Sequence, residues 1–290
     1  MQTNIYTALI TPFKNNKIDE KSFEKIIANQ IDNLVDGIVP CGTTGESPTL
    51  SHDEHNLLVE MAVKIAGGKI KVMAGTGSNS TAEAIAMTNN AKKIKADSCL
   101  IVTPYYNKPT PEGIYLHFQE LNKCGIPLII YNIPGRSVIN ISDQNLAKIA
   151  ELENVIGIKD ATGDLARMAS LRLLIQKKNF LFLSGEDATA VGYNAMGGNG
   201  IISVSSNILP KLVGDLQRAT ASGNYNLALE IQDKLTDFHG AMFCQTNPIP
   251  VKYCASLIGL CSPEVRLPLF EPSAESKERI KNALAKLMPF

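Results

Sequence analysis

Short apolar segments alternate along most of the chain with longer segments in which apolar residues recur every three or four positions. These periods predict β-strands for the short segments and amphipathic helices for the longer ones. The predicted strands span residues 5–11, 37–41, 71–75, 99–104, 127–132, 155–160, 180–185 and 200–204. They follow one another at roughly the spacing of a βα unit, about 30 residues.

The longer segments carry helix signals as well as periodicity. The segment from Asp19 to Leu34 is predicted to be helical, with an apolar face made of Phe23, Ile26, Ile27, Ile31 and Leu34. Ser51 is followed three residues later by Glu54, which is a capping-box pattern and predicts a helix start. Residues 164–176 and 207–221 show similar helical patterns.

The predicted strands are apolar throughout rather than alternating, which is typical of parallel strands covered on both faces. Eight βα units in succession predict a closed (β/α)8 TIM barrel. The alternative is a doubly wound open sheet, which usually has fewer strands and a glycine-rich first turn. The first turn here, Thr11-Pro12-Phe13-Lys14, is not glycine-rich, so the barrel is favoured.

About 70 residues follow the eighth unit. They predict three more helices, over 224–243, 251–260 and 273–288. Because no linker-like stretch separates them from the barrel, we expect a catalytic barrel domain over 1–222 and a helical extension over 223–290 packed on it.

Charge and composition narrow the class of function. The 28 basic residues match the 28 acidic ones, so no basic excess favours nucleic acid or an anionic membrane as a partner. Apolar residues make up 44% of the 290 and allow a sizeable core. The charged fraction of 19% is modest for a neutral chain and indicates surface hidden in an oligomer.

The N-terminal segment, the apolar runs and the cysteines predict a cytoplasmic protein. The N-terminus, MQTNIYTALITPF, has neither a basic region nor a long apolar one and is not expected to be a signal peptide. No apolar run comes close to the length that a membrane-spanning helix needs, which is about 20 residues. The six cysteines are scattered without C-x-x-C spacing, which favours free thiols over disulfides or zinc.

Candidate chemistry collects at the carboxyl ends of the predicted strands, where the active sites of such barrels lie. The side chains there are hydroxyls, phenols, one lysine and one arginine: Thr43, Thr44, Tyr105, Tyr106, Tyr131, Arg136 and Lys159. Residues chosen only for packing would not cluster by type in this way. The cluster therefore indicates an active site at this rim.

Lys159 ends an otherwise apolar strand and is suited to Schiff-base chemistry. The amine must be neutral to attack a keto carbon, and burial favours the neutral form. Two structural alternatives remain open for this lysine alone: an ion pair with Asp160 or Glu186, or a solvated side chain if the strand ends early. The hydroxyl, phenol and arginine side chains predicted at the same rim favour the catalytic interpretation.

Schiff-base chemistry also needs a proton relay, for which Tyr131, Thr44 and Tyr106 are candidates. The Gly-Thr-Thr-Gly turn at 42–45 is able to offer backbone N–H groups to a carboxylate, although a tight turn with a threonine cap explains it equally well. A phosphate site is disfavoured because Glu186 and Asp187 follow the seventh strand. The His52 and His55 pair lacks the H-E-x-x-H spacing, so a solvated helix start is preferred to a metal site.

Seven segments, in order along nearly the whole chain, resemble those of the family of dihydrodipicolinate synthases and N-acetylneuraminate lyases. They are GTTGES (42–47), TPYYNKP (103–109), YNIPGRS (131–137), GIKDATG (157–163), SGEDAT (184–189), GIISV (200–204) and NPIPVK (247–252). The resemblance implies a class I aldolase-type lyase that needs no cofactor beyond an imine between pyruvate and Lys159.

Within this family the chain is more similar to the synthases. They condense pyruvate with L-aspartate 4-semialdehyde in lysine and diaminopimelate biosynthesis. The resemblance implies that Lys159 forms the imine, with Tyr131, Thr44 and a neighbouring subunit's Tyr106 as the relay. It places Thr43, Thr44, Gly185 and the carbonyl of Ile202 around pyruvate. It also implies a homotetramer of two tight dimers.

Arg136 distinguishes the synthases from the lyases of the family. A guanidinium at the mouth of the barrel binds the carboxylate of a second substrate. Arg136 follows Y-N-I-P-G as in the synthases. The lyases tend to read G-S-T-G-E at the turn, whereas this chain reads G-T-T-G-E and has a second threonine, Thr44. A sugar-acid aldolase and a silent barrel that only binds a keto acid remain the alternatives.

The resemblance further implies L-lysine as a feedback inhibitor bound at a dimer interface. The matching residues are Ser47, His52, His55, Asn79, Glu83 and Tyr105. Three positions depart from the family pattern: Asp160 replaces glutamate, Pro48 replaces alanine and Cys41 replaces valine. Pro48 adjoins the effector residues, so it bears on regulation more than on chemistry.

Overall fold

A closed barrel of eight parallel strands forms the centre of the molecule in the computed structural model, which describes residues 4–290. The strands are β1 (Asn4–Ala8), β2 (Gly37–Val39), β3 (Lys71–Gly75), β4 (Ser98–Val102), β5 (Leu128–Asn132), β6 (Val155–Asp160), β7 (Leu181–Ser184) and β8 (Gly200–Ser203). Each pairs with its neighbours in sequence, and β8 closes on β1. The predicted (β/α)8 barrel is confirmed.

Helices surround the barrel. They are α1 (Glu20–Asp32), α2 (His52–Ala66), α3 (Thr81–Ile94), α4 (Pro111–Asn122), α5 (Pro134–Ser137), α6 (Asp143–Ala150), α7 (Leu165–Leu174), α8 (Ala190–Ala195), α9 (Pro210–Ala221), α10 (Tyr225–Met242), α11 (Ile249–Leu257) and α12 (Ala274–Ala285). The last three form the C-terminal extension, in which α10 packs against both α9 and α12. In the described part of the chain, no helix has both the length and the apolar character needed to cross a membrane.

Helix starts follow the side chains that cap them. Ser51 and Glu54 form the predicted capping box at the start of α2, so two backbone N–H groups are satisfied reciprocally. Asp19 caps α1 by accepting from the N–H of Ser22. The prediction of Leu34 as part of the buried face of α1 was wrong. That helix ends at Asp32, and Leu34 takes a φ of 58° that turns its side chain out to 73% exposure.

A short hairpin that the apolar pattern did not predict follows β1. Phe13–Lys14 pairs antiparallel with Lys17–Ile18 across a turn at Asn15 and Asn16. Both asparagines have positive φ, 53° and 59°, as a type I′ turn requires. The Asn-Asn pair was the available signal, because asparagine tolerates the left-handed region better than most residues do.

The register between β5 and β6 decides which side chains share a face. Tyr131 lies opposite Lys159, and Asn132 lies opposite Asp160. Successive residues in a strand point to opposite faces, so the first pair lies on one side of the sheet and the second pair on the other. The carboxyl ends of these two strands therefore present different chemistry to the inside and outside of the barrel.

Candidate active site

Lys159 is buried, with 5% of its surface exposed, near the carboxyl end of β6. Its Nζ lies 4.2 Å from the centroid of the Tyr131 ring. No carboxylate among residues 4–290 forms an ion pair with it. Asp160, on the other face, instead accepts from the N–H of Thr162 at 3.0 Å and lies 3.4 Å from Nη1 of Arg167. Both structural alternatives for Lys159, an ion pair and a solvated side chain, are therefore wrong.

Gly185 borders the lysine. A Cβ at this position would lie 3.1 Å from Cε of Lys159 and 2.7 Å from Cβ of Ala161, so any larger residue would press on the lysine. The next residue, Glu186, is half-buried, and its pKa is raised by loss of solvent and by the neighbouring charge of Asp187. Ile202, in the middle of β8, is buried.

The Gly-Thr-Thr-Gly turn leaves two backbone donors free. Within it, the N–H of Gly45 donates to the carbonyl of Gly42 and the N–H of Glu46 to the carbonyl of Thr43, both at 3.1 Å. In the described chain, the N–H groups of Thr43 and Thr44 donate to no protein acceptor. Adjacent free N–H groups of this kind can bind a carboxylate.

Thr44 is buried, and its hydroxyl contacts the C-terminal extension. Nδ2 of Asn247 donates to Oγ1 of Thr44 at 2.9 Å. The carbonyl of the same asparagine accepts from Nη2 of Arg136, also at 2.9 Å. Arg136 is exposed on the short helix α5. Asn247 of the C-terminal extension therefore contacts Thr44 through its side chain and Arg136 through its backbone carbonyl.

A buried ion pair secures the other end of the turn. Nζ of Lys252 on α11 lies 2.6 Å from Oε1 of Glu46, and both side chains are 0% exposed. Oε2 of Glu46 accepts from the N–H of Arg266 at 3.0 Å. Burial lowers the pKa of Lys252, and the charge of Glu46 opposes that shift. Glu46 and Lys252 both lie in recognised motifs, but the sequence pattern did not single them out as partners.

Tyr106 stands apart from the other relay candidates. Its side chain is 88% exposed in the loop after β4, and its φ is 73°. Among the described residues it makes no hydrogen bond with Tyr131 or Thr44. One chain therefore buries Lys159, Tyr131 and Thr44 at the rim and leaves Tyr106 on the outside.

The chain is similar to known proteins over nearly its whole length. Residues 1–287 match the model of the Dihydrodipicolinate synthetase family. The 4-hydroxy-tetrahydrodipicolinate synthase of Parvibaculum lavamentivorans is 53% identical over 280 residues, 96% of each chain.

The chain belongs to the dihydrodipicolinate synthetase family.

Two solved members of the family share the fold closely. The chloride-inhibited dihydrodipicolinate synthase of Acinetobacter baumannii, in complex with pyruvate, has a TM-score of 0.95 at 39% identity and covers 98% of both chains. The enzyme of Cyanidioschyzon merolae with lysine bound has a TM-score of 0.95 at 35% identity, covering 98% of this chain and 97% of that one. The chain is therefore a lyase of the 4-hydroxy-tetrahydrodipicolinate synthase type, as the sequence resemblance predicted.

A second cavity, separate from the site around Lys159, lies near the rim of the barrel and has a volume of about 200 Å³. Five of the six predicted effector residues line it: Ser47, His52, His55, Glu83 and Tyr105. The sixth, Asn79, is not part of the lining, and its carbonyl accepts from Nδ2 of Asn107 at 2.8 Å. Pro48 also lines the cavity.

The two histidines of this cavity differ in environment. His52 is exposed, and its Nε2 lies 3.1 Å from Oε1 of Glu83, whose other oxygen accepts from the hydroxyl of Ser78. His55 is buried, with Nε2 2.7 Å from the carbonyl of Gly75, and burial lowers its pKa. The expectation of a solvated helix start therefore fits His52 and is wrong for His55. No group of metal-ligating side chains is found within residues 4–290.

Proposed function

We propose that this lyase condenses pyruvate with L-aspartate 4-semialdehyde through an imine on Lys159. The observation that carries the proposal is a buried lysine without a carboxylate partner beside a buried tyrosine. Its amine attacks the keto carbon of pyruvate and water leaves, which gives a protonated imine. The imine accepts the electron pair released when the pyruvate methyl loses a proton, and an enamine forms.

The enamine carbon then bonds to the aldehyde carbon of the second substrate. The aldehyde oxygen takes up a proton and becomes a hydroxyl. The amino group of the second substrate attacks the imine carbon, and Lys159 leaves as the free amine. No separate cofactor is needed, because the imine itself serves as the electron sink.

The free N–H groups of Thr43 and Thr44 support a carboxylate site for pyruvate. We assign Gly185 to the same pocket, since its lack of a side chain leaves room beside Cε of Lys159. We also assign the backbone carbonyl of Ile202, on β8, to the pyruvate pocket. The pyruvate complex of the Acinetobacter baumannii enzyme supports this choice of substrate.

The proton relay is assigned to Tyr131, Thr44 and Tyr106. The exposure of Tyr106 supports its insertion into the site of a second copy of the chain, which would make a dimer the smallest active unit. The family resemblance extends this to a homotetramer built from two such dimers.

Arg136 is assigned to the carboxylate of L-aspartate 4-semialdehyde. It is exposed near the rim with one of its nitrogens anchored on Asn247, which leaves further N–H donors for a ligand. Sugar-acid substrates do not require a guanidinium here, so the residue favours the synthase over the sugar-acid aldolase. These two substrates would place the enzyme in lysine and diaminopimelate biosynthesis.

Reduction with borohydride in the presence of pyruvate tests the proposal. We expect the mass of one reduced pyruvate on a peptide containing Lys159, and none in Lys159→Ala. Lys211→Ala, which removes an exposed lysine, should label as the wild type does. Labelling of another residue, or of none, would overturn the proposal.

A second arm identifies the substrate. Unreduced enzyme is given pyruvate with L-aspartate 4-semialdehyde in one assay, and 2-keto-3-deoxygluconate or N-acetylneuraminate in two separate assays. Turnover of the aldehyde supports the synthase, whereas turnover of either sugar acid supports an aldolase. An imine with no turnover at all would identify a silent keto-acid-binding barrel.

L-lysine is proposed as the effector of the second cavity. Its lining combines the carboxylate of Glu83 with hydrogen-bonding groups, and the lysine-bound enzyme of Cyanidioschyzon merolae supports the choice. Glu83→Gln removes the charge that would pair with an ammonium, so it should weaken inhibition and leave the uninhibited rate intact. Activity that millimolar lysine leaves unchanged in the wild type would refute the assignment.

A further inference from the structure

Glu46 directly follows the Gly-Thr-Thr-Gly turn and is held from two sides. Its backbone has a φ of 55°, in the left-handed region, and its side chain is buried. One carboxylate oxygen lies 2.6 Å from Nζ of Lys252, and the other accepts from the N–H of Arg266 at 3.0 Å. A residue in this strained region persists only where its surroundings fix it, and such residues are common where ligands bind.

We propose that the buried pair of Glu46 and Lys252 positions the turn that binds the carboxylate of pyruvate. The pair fixes the turn that carries the free N–H groups of Thr43 and Thr44, and it leaves no net negative charge beside them. This inference rests on the proposed function, because it assumes that pyruvate binds at this turn. It adds Glu46, and Lys252 of the C-terminal extension, to the residues that determine the use of pyruvate.

Hydrogen bonds within the turn connect Glu46 to both donors. The N–H of Glu46 donates to the carbonyl of Thr43 at 3.1 Å, and the N–H of Ser47 donates to the carbonyl of Gly42 at 3.3 Å. Each peptide unit is planar, so a fixed carbonyl also fixes the N–H of the following residue. The carbonyl of Thr43 shares its unit with the N–H of Thr44, and the carbonyl of Gly42 shares its unit with the N–H of Thr43. Holding Glu46 in place therefore sets the direction of both free donors.

Lys252 is itself fixed in the core. Its Nζ lies 4.3 Å from the centroid of the Phe13 ring, which belongs to the hairpin after β1. The guanidinium of Arg266 lies 4.2 Å from the same centroid and is paired with Glu54. Each of the two cations therefore has one carboxylate, and the group as a whole is neutral.

This neutrality matters because the proposed ligand is an anion. An unpaired carboxylate at Glu46 would repel the carboxylate of pyruvate, and salt screens a buried charge poorly. Stability alone does not account for the pair, because apolar residues of similar volume are often at least as stabilising as a buried ion pair. Pairing with Lys252 removes the repulsion and keeps the hydrogen bonds that hold the turn in shape.

Lys252→Met keeps an unbranched side chain and leaves Glu46 without its counter-charge. We expect kcat/KM for pyruvate to fall about 10–100-fold, the effect of one uncompensated charge in a partly buried site. At saturating pyruvate, kcat/KM for L-aspartate 4-semialdehyde should change little, because the imine has already formed. Borohydride trapping at saturating pyruvate counts the active sites, so a smaller folded fraction cannot imitate this split. If Lys252→Met does not fold, Lys252→Gln takes its place, since it removes the charge and retains an N–H donor.

A double variant separates charge from packing. Lys252→Met with Glu46→Gln removes both charges, so it should recover most of the loss in kcat/KM for pyruvate. Lys123→Met, which removes an exposed lysine paired with Glu120, is the control and should behave as the wild type. A double variant as impaired as the single one would overturn the role of the charge.

Methyl pyruvate provides a second readout, because this ester carries no negative charge. Lys252→Met should form the imine with methyl pyruvate nearly as fast as the wild type does, although its reaction with pyruvate is slow. A general structural defect would slow both ketones alike. Equal slowing would therefore contradict the proposal.

Trapping in the wild type distinguishes failure of this inference from failure of the proposed function. If the wild type forms the imine on Lys159 and Lys252→Met uses pyruvate with the same kcat/KM, the positioning role is refuted while the proposed function stands. If the wild-type enzyme itself traps nothing on Lys159, the proposed function fails first.

Discussion

The side-chain nitrogen of Lys159 lies 4.2 Å from the ring centroid of Tyr131, its register partner on the neighbouring strand. The ring packs beside the lysine side chain, and the phenolic hydroxyl is a separate group on the opposite side of the ring. Ring and hydroxyl of Tyr131 can therefore serve different purposes, with the ring beside the lysine and the hydroxyl available for proton transfer.

Tyr131→Phe separates those two purposes, because it keeps the ring and removes only the hydroxyl. We expect imine trapping on Lys159 to persist while kcat falls by about 10²–10⁴-fold, the usual contribution of a general acid–base group. Tyr115→Phe, which removes a hydroxyl on the outer helix α4, is the control and should retain its kcat. Unchanged turnover in Tyr131→Phe would remove this tyrosine from the relay.

Arg136→Ala should impair use of the aldehyde far more than formation of the imine. A charge-assisted hydrogen bond is worth about 1.5–3 kcal/mol, so KM for L-aspartate 4-semialdehyde should rise about 10–100-fold. Steady-state kinetics and the rate of borohydride trapping measure the two steps separately. Arg172→Ala, an exposed arginine on α7, should affect neither step. Equal loss of both steps in Arg136→Ala would contradict its assignment to the second substrate.

Mixing two inactive variants tests whether Tyr106 acts in a second copy of the chain. Lys159→Ala lacks the amine and Tyr106→Phe lacks the phenol, so each alone should have little activity. In a mixed dimer, one of the two sites combines an intact Lys159 with an intact Tyr106. Subunit exchange should therefore restore activity. If the mixture stays inactive although mass spectrometry shows mixed dimers, Tyr106 does not act across an interface.

The buried pair of Lys252 and Glu46 should matter for stability. Lys252→Met leaves the carboxylate buried without its partner, and such losses cost about 3–5 kcal/mol of unfolding free energy. Lys123→Met breaks an exposed pair with Glu120 and should cost less than about 1 kcal/mol. Denaturant unfolding measures both. The double change Lys252→Met with Glu46→Leu should recover part of the loss, and additive losses would argue against a coupled pair.

Acid should destabilise the fold through His117. Burial lowers its pKa from 6.5 to about 4, so between these values the unfolded chain binds more protons than the folded one. Its contribution is complete above pH 6.5 and is lost as the pH falls toward 4. At about 1.4 kcal/mol per pH unit this amounts to about 3 kcal/mol.

His117→Gln is neutral throughout and should flatten the dependence of unfolding free energy on pH in that window. Some slope should remain, since burial also lowers the pKa of His55 and of His239. Denaturant titrations at several pH values provide the measurement. Parallel curves for the variant and the wild type would show that His117 is not the source.

The barrel and Lys159 were accessible from the sequence because their signals are local. A strand buried on both faces must be apolar, and a lysine within it conflicts with that rule at one position. The missed features depend on contacts between distant segments. Asn247 and Thr44 are 203 residues apart, and Lys252 and Glu46 are 206 apart.

The sequence by itself determined the order of strands and helices, the barrel, and the amine on which the proposed chemistry depends, because hydrophobic periodicity and residue type act over a few positions. Tertiary structure alone decided that Lys159 has no carboxylate partner, since strand register turns Asp160 to the opposite face and toward Arg167. It also decided that the C-terminal extension contacts Thr44 and Arg136. Such contacts follow from how helices pack around the closed barrel, and no local pattern records them.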